Sequence, residues 1–175
     1  MKLLWTEPRV DFDGRYWKLS GAAMEPKPFQ KPYPPLWLGG GHPNAVRRAV
    51  GLGDGFFGAG ISTTAEFAAQ TAVLREELDR QGRDPTSFRV AKRVYVAVDD
   101  DPQHARGRMR DALADLYGYF GARDLLPVAV AGAPDDCVVR LRAVAEAGAD
   151  TILLNPLFDE TEQMERLATQ VIAAS

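Results

Sequence analysis

From residue 36 onward, short apolar runs alternate with stretches of helix length, and this alternation constrains the fold more than any other feature of the chain. Leu36–Gly39, Phe56-Phe57, Phe88–Val98 and Thr151–Leu154 read as strands, the third carrying Val90, Val94, Val96 and Val98 on one face. Between them lie helical stretches: Pro43–Leu52, Ser62 to about Gln81, Asp99 to about Tyr117, and a segment opened by Pro134 and ended by Gly148. Glu160–Ala174 reads as a closing helix. Strands alternating with helices form parallel sheets with right-handed crossovers. A closed (β/α) barrel needs eight strands and about 250 residues. Four visible strands in 175 residues therefore predict an α/β fold: the half of a barrel, or a small open sheet. Half a barrel leaves its outer strands and interior-facing side chains uncovered, so such a chain pairs with another half or is unstable.

Local signals place the helix ends. Ser62-Thr63-Thr64 with Glu66 has the spacing of a capping box, and Phe67, Leu74 and Leu78 form the apolar face of the helix that follows. Asp99-Asp100-Asp101 before Pro102 reads as a helix cap, because the carboxylates do not repeat at a metal-loop spacing. Cys137 shares a helical stripe with Leu141 and Val144 and belongs to the core. Ahead of residue 36 the organisation differs. Residues 1–5 resemble the last turn of a helix, and Asp13-Gly14 between two partly alternating apolar runs predicts a hairpin over Val10–Leu19. Residues 26–35 hold five prolines and form an extended connector. The chain is thus expected to be one partial domain: helix end, hairpin and connector over 1–35, then four β/α units over 36–175.

Charge narrows the partners. The net charge is −3 and no Lys/Arg cluster stands out, which argues against nucleic acid. No apolar run approaches the roughly 20 residues of a membrane span, and Met1–Trp5 is cut off by Thr6-Glu7-Pro8, too short for a signal-peptide core. One cysteine excludes an internal disulfide and fits a reducing compartment. The expected location is cytoplasmic.

The segment Pro34–Asn44 offers the best site. A short strand runs into Gly39-Gly40-Gly41-His42, and Pro43 opens a helix. Backbone N–H groups at such a turn converge on an anion, and the helix dipole adds to the attraction. The alternative is a turn needed for chain reversal alone. His42 has no partner nearby that would make it a base, so anion contact or a plain turn position remains. Asn44 offers a further backbone N–H. Phe57, Gly58 and Gly60 lie at the C-terminal end of the second strand, where (β/α) proteins bind ligands. Phe57 either lines a ligand cavity or fills the barrel. Asn155 ends the fourth strand and is equally a site residue or ordinary Asn-Pro turn chemistry.

The order of motifs resembles the C-terminal half of the bacterial-luciferase-like superfamily, which includes coenzyme F420-dependent and FMN-dependent oxidoreductases. The matching pieces are Leu4-Trp5-Thr6 before Asp13-Gly14-Arg15-Tyr16, and Pro26-Lys27-Pro28 before Gln30-Lys31-Pro32. Pro35-Leu36-Trp37-Leu38-Gly39-Gly40, Arg48-Ala49 and Gly53-Asp54-Gly55-Phe56 follow, then Gly132-Ala133-Pro134-Asp135-Asp136 before Ala147-Gly148-Ala149-Asp150. None is specific alone; together, in order, they span nearly the whole chain. The resemblance implies a TIM-type barrel of which this chain holds strands five to eight, with the first four absent. It implies F420 or FMN as cofactor, with the cofactor phosphate at Gly40, Gly41 and His42, flanked by Gly39, Asn44 and Phe57. It also implies a small-molecule substrate whose pocket is shaped mostly by the absent half. Two functions follow as expectations. One is an oxidoreductase or monooxygenase moving a hydride or activating oxygen. The other is a catalytically silent half-barrel that binds a cofactor phosphate, or pairs as a homo-oligomer or with the missing half.

Overall fold

Lys27 holds together the first part of the chain. Its Nζ donates to the carbonyls of Leu4, at 2.9 Å, and Glu7, at 2.6 Å, at the end of the short helix α1 (Lys2–Thr6). Five residues cannot sustain a helix in water, so an external donor on their terminal carbonyls matters. The structure, a computed structural model, describes residues 1–121 and 123–174 and divides into two units, Met1–Leu36 and one beginning at Trp37. In the first unit β1 (Val10–Asp13) and β2 (Lys18–Ala22) pair antiparallel, Phe12 opposite Leu19 and Asp13 opposite Lys18. Gly14 N–H closes the hairpin on the Trp17 carbonyl at 3.0 Å, where the Asp-Gly signal predicts the turn.

The second unit is a parallel sheet with helices. Its strands are β3 (Trp37–Gly39), β4 (Gly55–Gly58), β5 (Arg89–Val98), β6 (Ala129–Gly132) and β7 (Thr151–Asn155). The sheet thus has five strands, against the four read from the sequence. The extra one, β6, is Ala-Val-Ala-Gly between Pro127 and Pro134. With a single β-branched residue it carries no strand signal, and pairing with β5 supplies what propensity does not. β5 is the hub. Arg89–Lys92 pairs with β4, Tyr95–Val98 with β6, and Ala91–Tyr95 with β7.

The helices are α2 (Pro43–Leu52), α3 (Thr64–Arg80), α4 (Pro102–Tyr117), α5 (Pro134–Glu146) and α6 (Glu160–Arg166). The predicted caps form. Glu66 N–H donates to Thr63 Oγ1 at 3.2 Å while Thr63 N–H donates to Glu66 Oε2 at 2.7 Å, and Gln103 N–H donates to Asp101 Oδ1 at 2.9 Å. The closing segment is not one α-helix: it widens to a π-turn over Leu167–Val171, with Leu167 and Val171 still buried, and ends in a 3₁₀ turn.

Side chains alternate across a strand, and the register sorts them. Phe56 packs with Val46 and Val50 of α2 and with Phe67, Leu74 and Leu78 of α3. Val94, Val96 and Val98 pack with Cys137, Leu141 and Val144 of α5. On the opposite face Tyr95 and Ala97 pack with Ala105, Met109 and Leu113 of α4. That face also carries Trp37, Phe57, Arg93 and Leu153, matched through the pairings of β3, β4, β5 and β7. There Trp37 is 40% and Leu153 48% exposed. Large side chains left open on one sheet face are what a half-barrel predicts.

Candidate functional site

The three glycines after β3 are not equivalent. A Cβ on Gly39 would stand 2.7 Å from the Phe57 carbonyl oxygen. Gly40 has φ +141°, and its Cβ would meet that of Ala45 at 2.7 Å. The fold itself requires both. A Cβ on Gly41 meets only Gln70 Nε2, at 3.8 Å, so no packing reason explains this glycine. Gly41 borders a cleft of about 430 Å³ whose walls include Pro43 and Val46 of α2, Ile61 and Ser62 of the β4–α3 loop, and Gln70 of α3.

The start of α2 satisfies much of its own backbone. Pro43 has no N–H. The Asn44 N–H donates to His42 Nδ1 at 3.1 Å, and the Ala45 N–H to the His42 carbonyl at 2.8 Å. With Nδ1 accepting, the neutral imidazole carries its proton on Nε2. The Asn44 N–H, expected to serve a ligand, is therefore taken, and its Oδ1 accepts from Arg47 at 3.0 Å. Among the described residues no protein acceptor holds the N–H groups of Gly41 and His42. These two are the donors the turn offers an anion. Of the six residues singled out in the sequence, Gly41 lines the cleft, Gly39 and Gly40 shape the turn, and His42 caps the helix. Phe57 lies on the open sheet face, in register with Gly39 and Ala91, rather than in the cleft.

Two polar side chains of α3 also border the cleft. Glu66 is held below the usual carboxylate range by the Thr63 N–H and hydroxyl. Gln70 is 8% exposed and donates to Ser62 Oγ at a long 3.4 Å, while its Oε1 has no partner among the described residues. A buried amide oxygen without a donor costs about 1–3 kcal/mol, and the Nε2 of the same side chain lies 3.8 Å from where a Gly41 Cβ would stand.

A second cluster carries no motif and is not legible as a site in the sequence. Arg93 and Tyr95 lie two apart on β5, and Tyr117 continues the Ala105-Met109-Leu113 stripe of α4 by one more turn. The register of β5 and that stripe were the available signals. Arg93 Nη2 donates to Tyr117 Oη at 3.3 Å, the guanidinium lies 5.2 Å from the Tyr95 ring centroid, and the two phenol oxygens hydrogen-bond. Burial first, then the Tyr117 hydrogen bond, pushes the Tyr95 phenol up to about 12. Lys92 points to the other face, donates to the carbonyls of Ala59 and of Arg93 (3.0 Å), and is lowered to about 8, chiefly by burial. Asn155, paired with Tyr95, donates to the Pro156 carbonyl at 3.1 Å, a local turn contact.

The family model for luciferase-like monooxygenases matches residues 1–126. The chain belongs to that family. Among luciferase-like relatives, the F420-dependent glucose-6-phosphate dehydrogenase of Nocardia farcinica (strain IFM 10152) is 25% identical over 177 residues, covering 89% of this chain and 52% of the relative. An FMNH(2)-dependent dimethylsulfone monooxygenase of Pseudomonas putida is 25% identical over 114 residues, covering 65% of this chain and 30% of the relative. The chain therefore spans about half the length of the first of these luciferase-like proteins. The solved structure of the coenzyme F420-dependent tetrahydromethanopterin reductase from Methanopyrus kandleri superposes with a TM-score of 0.80 at 18% identity, covering 99% of this chain and 60% of the reductase. At that identity the likeness shows a shared fold, with the α/β parallel sheet aligned along nearly the whole chain.

Proposed function

We propose that this luciferase-like chain supplies the cofactor-phosphate anchor of an F420- or FMN-dependent oxidoreductase. The single observation that carries the reading is Gly41, a glycine without a packing reason, at a helix start and beside a cleft. A phosphate oxygen placed there would accept from the Gly41 and His42 N–H groups, and the dipole of the ten-residue α2 would favour its charge. His42 fixes the first turn through Nδ1, so the donors need no rearrangement when the anion arrives. When bound, the cofactor supplies the hydride transfer or oxygen activation. The residues of this chain bind and orient it. The relatives' dependence on F420 or on FMNH₂ supports the class of cofactor, and both carry a phosphate on their tail. A small-molecule substrate and a cytoplasmic setting belong to the same reading; no described helix is long and apolar enough to cross a membrane.

Fluorescence titration of the purified chain with FMN and with F420 tests it. Saturable binding of one cofactor, weakened at least tenfold in Gly41→Val with thermal stability retained, is the expected result. Absence of saturable binding by either, or equal affinity in the variant, overturns it.

The exposed Trp37 and Leu153 favour a second reading, in which the chain is half of a barrel and functions when paired. Sedimentation distinguishes the two: a monodisperse, folded monomer at micromolar concentration counts against obligatory pairing.

A further inference from the structure

We propose that Arg93, Tyr95 and Tyr117 form a subsite for a small oxyanion, such as a carboxylate, carried by the substrate. The proposal rests on the cofactor reading only in calling the ligand a substrate; the anion site itself does not depend on it. Arg93 is, among the described residues, an unpaired cation. A guanidinium has five N–H donors and no acceptor. Among the described residues Arg93 forms no ion pair, whereas Arg80, Arg106, Arg108 and Arg166 each reach a carboxylate. Its one hydrogen bond is to a neutral phenol at 3.3 Å, and its Nε is buried without a partner. Arg93 is half-buried, and a cation partly withdrawn from water without a counter-charge is costly. Here the nearest charged neighbour in the chain, Lys92, is also positive and raises that cost.

The phenols point to the same ligand chemistry. Tyr117 Oη accepts from Arg93, and one O–H of the two phenols is consumed in the Tyr95–Tyr117 hydrogen bond. Whichever phenol donates, one O–H remains unspent. The cluster thus presents guanidinium N–H groups and one hydroxyl as donors, and an acceptor-rich anion answers both that set and its charge. Its geometry is fixed in advance. A Cβ on Gly60 would stand 2.7 Å from Arg93 Nε and 2.8 Å from the Tyr95 ring, so the backbone of the β4–α3 loop presses directly on the pair. Apolar Leu153 is the register partner of Arg93, and Phe57 that of Ala91 two residues earlier on the same open face. A ligand with an anionic head and a short apolar body matches this arrangement.

Butyrate is a suitable probe, with 1-butanol as its neutral counterpart. The full chain, labelled with ¹⁵N, is titrated at constant ionic strength while the Arg93 Nε–H, the Gly60 amide and the Gly41 and His42 amides are followed. Butyrate is expected to shift Arg93 Nε–H and Gly60 saturably, and 1-butanol at least tenfold more weakly. Arg93→Lys should lose at least tenfold in affinity. Tyr117→Phe, which keeps the ring, should lose several-fold, with the remaining amide spectrum unchanged in both. No shift at Arg93 and Gly60, shifts confined to Gly41 and His42, or unaltered affinity in both variants overturns the proposal. Shifts at Arg93 and Gly60 without any at Gly41 or His42 support this subsite and leave the phosphate anchor to its own titration with FMN and F420, so the two readings fail separately. Displacement of bound FMN or F420 by butyrate would overturn the assignment to the substrate.

Discussion

The Lys92 ammonium donates to the backbone carbonyl of Ala59, so a buried cation in the middle of β5 holds the loop leaving β4. Lys92 is 2% exposed, and burial lowers it from 10.5 to about 8. Between those two values the folded chain binds fewer protons than the unfolded one, so stability rises with pH across that window. Cys137, raised by burial from 9.0 to about 11, acts in the opposite sense from below pH 9, and Tyr95, raised from 10.0 to about 12, acts so at higher pH. Lys92→Met isolates the lysine, because Cys137 and Tyr95 titrate in both proteins. Urea unfolding should show the parent gaining about 1 kcal/mol on Lys92→Met between pH 8 and pH 9. Equal pH dependence in both proteins would sink the assignment.

Thr63 and Glu66 satisfy one another's backbone at the start of α3. Thr63→Ala should cost about 1 kcal/mol and Thr63→Ser much less. Chemical denaturation of the three proteins gives the comparison, and indifference to the alanine would show the box to be energetically idle.

The glycine turn separates positions that packing requires from one that it does not. Gly40→Ala places a side chain at φ +141° and against Ala45, and should destabilise by about 1–3 kcal/mol. Gly41→Ala has room and should stay within about 0.5 kcal/mol of the parent. Thermal melts of both variants check the contrast; similar melting temperatures would mean that the turn does not discriminate.

Cys137 is fully buried, with its thiol pushed up to about 11 by that burial. Nucleophilic attack needs the thiolate and access to it. Iodoacetamide at pH 8 should leave the native chain unmodified for hours and label it within minutes in denaturing urea, as read by intact mass. Rapid native labelling would place the thiol at the surface.

Elements with strong local chemistry were legible in the sequence. Pro43 and the following residues up to Leu52, the capping spacing Thr63/Glu66 and the Asp101-Pro102 start each carry their own signal, and the helices begin where those signals stand. β6 was not legible, because Ala129–Gly132 becomes a strand only through its partners on β5. The site divides along the same line. Gly41 and His42 could be picked from a glycine turn at a helix start. That Asn44 is occupied depends on which way the His42 ring turns. Arg93, Tyr95 and Tyr117 converge from residues up to 24 positions apart, and no local pattern announces it.

β5 has three partners, and all of them read the same frame. Its pairings with β4, β6 and β7 fix ten successive residues. A slip of one residue would carry Lys92 onto the face of Trp37 and Leu153 and drive Arg93 to the side of α3, where Lys92 lies over the Phe67 ring, since side chains alternate across the strand. Three interfaces would be miscued by a single error, so misaligned intermediates have little to stabilise them. The adjacent lysine and arginine thus act as a keyway: opposite one another across the sheet, they admit one alignment of the strand and make its neighbours expensive.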